Sequence, residues 1–345
     1  MNLNKIKAIT KRKFSSIRRD HRMFAFIVLM PALQILLFGF AIGATPSGLE
    51  VITVGEHPVI DELQNSENLE LSSMDNVDDA RDAVERGDAW AVIEIDDDGS
   101  IILHFDSSNQ QVMQTIMQEV RSALESTAPS LPISQAEPVH GEKNPEFIDF
   151  LAPGIMVLVC FMFSVILTAM AFVGERNDGT LDRLFAAGVK PIEVMIGHLS
   201  AFSLILIGQV TVVIAIAIGL FDIPMKGSLI LLFALALLLG WAAMCLGLFI
   251  SSKARSEFQA MQLVMPILFP VLLLSGIIWP IEALPVGLFE VSQILPTTWV
   301  AEAFRSIMIR GWGLEADIIW KSFIMVIIFG AVTLVGAARS LRIKT

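Results

Sequence analysis

FLAPGIMVLVCFMFSVILTAMAFV, residues 150–173, decides the fold class, because no side chain from Phe150 to Val173 carries a charge. A helix of about twenty apolar residues, rising 1.5 Å per residue, crosses the roughly 30 Å hydrocarbon layer of a bilayer. Similar runs lie at 24–43, 196–221, 228–250, 260–279 and 323–338. They are continuous rather than alternating, so helices are expected and a transmembrane barrel is not. The chain of 345 residues is 54% hydrophobic and 17% charged, against about 25% charged in soluble domains. Six transmembrane helices are therefore expected. The run at 24–43 reads as a retained span, because the apolar region of a cleaved signal is about 7–15 residues.

Outward from these runs the charge divides. The formal net charge is -11, but residues 45–147 hold -18 and the remainder +7. This is a basic-flanked membrane body carrying one acidic polar domain. Nucleic-acid binding is not expected, since phosphate binding needs a basic footprint. The only cysteines, Cys160 and Cys245, sit inside apolar runs and read as small hydrophobes. If the spans alternate, 16 of 24 lysines and arginines fall on one side. The positive-inside rule makes that side cytoplasmic. Both termini are then cytoplasmic in a multi-pass protein of the cell (plasma) membrane, with the acidic domain outside. Trp279, Trp299, Trp312 and Trp320 would form an outer interfacial belt, for which no tyrosine is available.

The outer segment reads as a small α/β module. A strand is expected at 49–54 and a helix at 77–86, capped by Asn76 and stopped by Gly87. A hairpin is expected around Asp97-Asp98-Gly99 and an amphipathic helix at 109–125. The acidic turn lacks calcium-loop spacing, and His57, His104 and His140 lack ligand spacing, so no metal site is expected. At the N-terminus, Leu3, Ile6, Ile9, Thr10, Phe14 and Ile17 recur at helical spacing among lysines and arginines. That stripe predicts an interface helix lying on membrane lipids at the inner surface; the plainer alternative is a basic tail.

Between the second and third runs stand Glu175-Arg176-Asn177-Asp178-Gly179-Thr180-Leu181-Asp182-Arg183-Leu184, with Glu193 downstream. A turn at Asp178-Gly179 leads into a short helix that would present Leu181, Leu184 and Phe185 to a cytoplasmic partner as an apolar knob. This run resembles the coupling segment of type-2 ABC exporter permeases, roughly E-R-x-x-G-T-L-(E/D)-R-L. Glu175, Arg176, Gly179, Thr180, Leu181, Asp182, Arg183, Leu184 and Glu193 match. The chain departs from the pattern at Ala187-Gly188, where Thr-Pro is common, and at His198, where lysine is common. A second stretch is similar to two further elements of that family. Ser275, Gly276, Pro280, Leu284 and Pro285 match one, and Pro296, Thr298, Trp299, Glu302, Ala303 and Arg305 match the other.

The expected fold is an α-helical polytopic membrane protein: six transmembrane helices, re-entrant outer half-helices and a small α/β extracytoplasmic domain. Its parts are an interface helix at 1–22, a first span at 23–44, the acidic domain at 45–147 and the remaining spans at 148–345. A coupling loop at 174–195 and a re-entrant segment at 280–310 lie within the last part. Residues 280–310 are too polar and proline-broken to span yet too apolar for a plain loop. Glu302 and Arg305, one turn apart, form either an outer gate or a solvated pair.

The resemblance implies a non-catalytic permease subunit that binds no cofactor itself. A separate ABC ATPase subunit would hold ATP-Mg, and a second permease copy or homologue would complete the pathway. The sequence has no G-x-x-x-x-G-K-(S/T) phosphate loop. Few charges in the spans suit a lipophilic or amphipathic cargo, such as a drug or lipid, moved out of the cytoplasm. The rival reading is a membrane sensor or receptor with a ligand-binding outer domain. An intramembrane enzyme fits less well, because Gln34, His198 and Gln209 read as isolated polar groups between helices.

Overall fold

The computed structural model describes residues 2–19, 29–37, 46–96, 100–106, 110–127, 147–281 and 284–342. The chain divides into two compact units: residues 1–43 with 147–345, and residues 44–146.

The smaller unit contains β1 (Leu49–Val54), α3 (Pro58–Leu63), β2 (Leu69–Ser73), α4 (Val77–Arg86), β3 (Ala91–Ile95), β4 (Ile101–Phe105) and α5 (Gln110–Thr127). Its sheet runs in the order β2-β1-β3-β4. The β1 strand is parallel to β2 and β3, and β4 is antiparallel to β3. As a central strand, β1 is buried on both faces. Leu49 and Val51 meet Val59 and Leu63 of α3 and Val112, Ile116 and Val120 of α5. Ile52 and Val54 meet Ala80 and Ala83 of α4. Asn76 caps α4 by accepting from the Asp78 N–H at 2.9 Å, and Gly87 ends it at φ 81. The strand β2 and helix α3 escape the sequence pattern. Only Leu69 of β2 is fully buried, because an edge strand shows water its outer side chains. The turn at 97–99 and the segment 128–146 lie outside the described residues.

The larger unit begins with α1 (Leu3–Arg19). A helical segment at 29–37, labelled α2, is the described part of the expected first span; the rest of 24–43 lies outside the described residues. Then come α6 (Phe147–Asn177), α7 (Thr180–Ala186), α8 (Pro191–Gly219), α9 (Leu229–Lys253), α10 (Glu257–Leu274), α11 (Leu288–Ser292), α12 (Pro296–Arg305) and α13 (Asp317–Arg342). Five of these, α6, α8, α9, α10 and α13, are long and apolar enough to cross a membrane. The α9 helix packs against both α6 and α13. Glycine permits that closeness: a Cβ at Gly247 would lie 2.6 Å from the Val165 carbonyl oxygen, and Gly330 of α13 faces Ala242. Apolar side chains remain on the outside, among them Ile230 of α9, Phe269 of α10 and Ile327 and Val332 of α13. Water would not tolerate so broad an apolar exterior, whereas a bilayer matches it.

Between α10 and α13 lie two short helices, α11 of five residues and α12 of ten. A π-helical turn at Ser306–Arg310 follows α12, ending at Gly311 with φ 76.

A Gly247→Val substitution should force α6 and α9 apart and cost about 1–3 kcal/mol, as overpacking does. Gly208→Ala, which would meet nothing within 4 Å, should be neutral or slightly stabilising. Thermal unfolding of both variants in one detergent checks this.

Candidate functional site

Glu175 lies near the C-terminal end of α6, and side chains from two other helices converge on its carboxylate. Lys13 of α1 reaches Oε1 at 2.5 Å and Arg12 reaches Oε2 at 3.5 Å. His198 of α8 places Nε2 2.7 Å from Oε2. The Glu175 and Lys13 side chains are only 11% and 10% exposed, and His198 is fully buried. Lys13 Nζ also lies 5.6 Å from the centre of the Phe202 ring. Phe172 stands edge-on to the imidazole at 5.3 Å. In so dry a setting, opposite charges and good hydrogen-bond geometry hold one another in place, and removal of one partner is costly.

The cluster fastens α1 to α8 along its length. The Asn2 N–H donates to Glu193 Oε1 at 2.6 Å, and the other Glu193 oxygen accepts from the Lys190 N–H at 3.1 Å. Glu193 thus caps the start of α8 and binds α1 at once. Lys5 Nζ donates to the Gly188 carbonyl at 2.7 Å, and Thr10 Oγ1 to the Gly197 carbonyl at 3.1 Å. Ile6 and Ile9 are buried against α8, where Gly197 leaves room: a Cβ there would lie 2.7 Å from Ile9 Cγ2. The expected amphipathic helix exists, but the middle of its apolar stripe is spent on α8 and not on lipid. Leu3 is exposed, Phe14 is half-buried, and the Ile17 side chain lies outside the described residues.

The loop residues divide into anchors and surface. Arg176 donates to the carbonyl of Ser251, at 3.1 Å, and to that of Ala254, closing the C-terminus of α9. Gly179 adopts φ 68 and turns the chain into α7, whose first residue is Thr180. Leu181 is 1% exposed, and Leu184 and Phe185 pack on the same core. The apolar knob expected to face a partner is therefore an anchor inside the chain itself. What α7 shows to solvent is Asp182, Arg183 and Ala186, followed by Ala187 and Gly188.

A second cluster surrounds α12. Arg305 is 7% exposed. Its Nε donates to the Phe150 carbonyl at 3.0 Å, and an amino group donates to the carbonyls of Gly276 and, at 3.4 Å, Ile277. Its guanidinium also covers the Phe150 ring at 4.2 Å. The expected Glu302–Arg305 pair stands at 3.7 Å, but the nearer partner of Glu302 is Arg310 at 2.6 Å. Neither a solvated pair nor a simple two-residue gate describes this, since the arginine ties α12 to α6 and to the turn after α10. Ser275 joins Thr297 at 2.6 Å, Trp299 Nε1 donates to the Gln293 carbonyl at 2.9 Å, and Pro296 opens α12. Gly276 takes φ 67, while Pro280 and Pro285 are exposed. In the smaller unit, Glu50, Ile52, Glu70, Met74 and Arg86 line an open groove of about 340 Å³.

Sequence reasoning singled out Glu175 but missed Lys13 and took His198 as isolated. Lys13 lies 162 residues from Glu175 in the chain, so no local spacing signals the pair. His198 lies 23 residues away, across a turn whose geometry the sequence leaves open. No group of three or more histidine, cysteine or acidic residues arranged for a metal occurs among the described residues.

A family model described as ABC-2 family transporter protein matches residues 21–339. The chain is 33% identical over 351 residues to ABC transporter G family member 20 of Dictyostelium discoideum, spanning 93% of this chain and 48% of that one. It is 29% identical over 190 residues to Probable multidrug ABC transporter permease YbhR of Escherichia coli, spanning 55% of this chain and 51% of the other. To Probable multidrug ABC transporter permease YbhS it is 22% identical over 345 residues, spanning 90% of each. The chain thus spans about half the length of the first two relatives.

Lys13→Met should detach α1 and cost about 3–5 kcal/mol, as loss of one partner of a buried pair does. Lys7→Met, at an exposed position, should cost about 0–1 kcal/mol. Faster tryptic cleavage within α1 in the first variant but not the second is the expected result.

Proposed function

The chain belongs to the ABC-2 transporter family, and from that premise we propose that it is the transmembrane permease subunit of an ATP-driven exporter. The polar fastening of α1, α6 and α8 around Glu175 carries the proposal. It makes a stiff platform beside a loop whose exposed Asp182 and Arg183 offer one charge of each sign to a partner. A separate ABC ATPase subunit holding ATP-Mg would dock there, and its closure on ATP would push the platform. Glu175, Arg176, Gly179, Leu181, Leu184 and Glu193 serve as the frame, with Asp182 and Arg183 as contacts. Coupling then requires the ATP-bound partner to favour one arrangement of the spans over another.

In this reading both termini and α7 face the cytoplasm of a plasma-membrane protein, and the acidic unit lies outside. Residues 23–44 supply the first of six spans. Segment 280–310 dips into the outer leaflet as a re-entrant element, braced by the carbonyl contacts of Arg305. Irregular backbone at that depth needs internal partners of this kind. A second permease copy or homologue completes the pathway. The cargo is lipophilic or amphipathic, in keeping with the multidrug naming of the two Escherichia coli relatives.

Co-expression with an ABC ATPase, followed by reconstitution in proteoliposomes, tests the reading. Asp182→Lys or Arg183→Glu should lower ATP-dependent export of a lipophilic dye about tenfold, within the range of a lost coupling of 1–3 kcal/mol. Both variants should keep the wild-type melting temperature. Unchanged export in both would remove α7 from the coupling surface.

A further inference from the structure

The imidazole of His198 makes two contacts that together count its protons. Nδ1 lies 2.8 Å from the Val194 carbonyl oxygen, which only accepts, so Nδ1 carries a hydrogen and donates it. Nε2 lies 2.7 Å from Glu175 Oε2. With Nδ1 protonated, Nε2 is either a second N–H donor or a bare lone pair. A bare lone pair facing a carboxylate oxygen at that distance sets two acceptors against each other. The contact therefore needs one proton between the two residues.

Charged groups from several helices surround the contact. From α1, Lys13 occupies Oε1 and Arg12 approaches Oε2, which keeps Glu175 an acceptor. From α10, Glu257 reaches the edge of the site: a Cβ on Gly174 would lie 2.7 Å from its Oε1. On α8 itself, Glu193 is committed to the Asn2 and Lys190 N–H groups. Arg176, next after Glu175, is committed to the end of α9. With His198 fully buried, the carboxylate is its partner on the Nε2 side.

We infer that His198 is a positioning residue that acts through Glu175: its second ring proton holds the carboxylate where Lys13 of α1 meets it. A side chain without a donor there leaves the carboxylate unheld and loosens α1 from α8. The ammonium of lysine and the amide of glutamine are donors too, whereas leucine is not. Docking of α1 in this chain therefore needs a donor at position 198, and a donor of other chemistry restores what leucine loses.

The test needs neither cargo nor ATPase, so its failure would leave the transport reading standing. The full chain is placed in lipid nanodiscs with spin labels at Lys7→Cys and Lys190→Cys, both exposed, while Cys160 and Cys245 are buried. Distances are measured by pulsed electron resonance for the unaltered chain and for the His198→Leu, His198→Lys and His198→Gln variants. The expected result is a single narrow distance for the unaltered chain, with its share falling several-fold in His198→Leu. At least one of the two donor variants should stay narrow. The inference is overturned if His198→Leu stays narrow, or if both donor variants are as broad as His198→Leu.

Discussion

The ionised carboxylate of Glu175, at the end of a membrane-length helix, is the constraint on which the cytoplasm-facing architecture of this reading rests. A buried charge without partners is expensive enough to unfold its surroundings. Here the partners come from α1 and α8, which fixes where those helices lie. Once α1 lies against α8, Ile6 and Ile9 have a surface to bury and Gly197 has a reason to lack a side chain. The neighbouring Arg176 does the same for α9 through the carbonyls of Ser251 and Ala254. Two adjacent residues of opposite charge thus gather three helix ends around the close of α6.

The opposite end of α6 has its own fastening. Arg305 satisfies the Phe150 carbonyl and two carbonyls of the turn after α10, and its planar fork suits several acceptors at once. A lysine there would offer one point charge in place of a fork. Glu302 is left to Arg310, whose guanidinium lies over Trp312 at 4.8 Å. The helix therefore carries an anchored charge cluster near each end, with an apolar, glycine-permitted contact to α9 between them. In the proposed reading, that build suits an element that passes a displacement along its length without bending.

Much of this is legible in the sequence. Five of the six apolar runs correspond to membrane-length helices, because the length and continuity of such runs are dictated by the bilayer. Helix α4 was legible to its ends, since Asn76 and Gly87 act through bonds within the same few residues. What stayed hidden depends on distance along the chain or on edges. Lys13 and Glu175 share no local pattern, and β2 shows mixed polarity because it borders water. The role of Leu181 was misjudged for a related reason. Helical spacing tells which residues share a face, but not whether that face looks toward a partner or toward the chain's own core.

The central claim is that α1 and α8 move as one body when the transporter works. Asn2 and Lys190 are exposed and donate their N–H groups to the same Glu193 carboxylate, so cysteines at both positions can be joined by a short reducible cross-linker that ties the two helices. ATP-driven export is then measured in proteoliposomes with the cross-link formed and after its reduction. If the helices travel together, export is the same in both states. Export that is lost in the cross-linked state and restored on reduction would contradict the claim, since it would mean that α1 must leave α8 in each cycle.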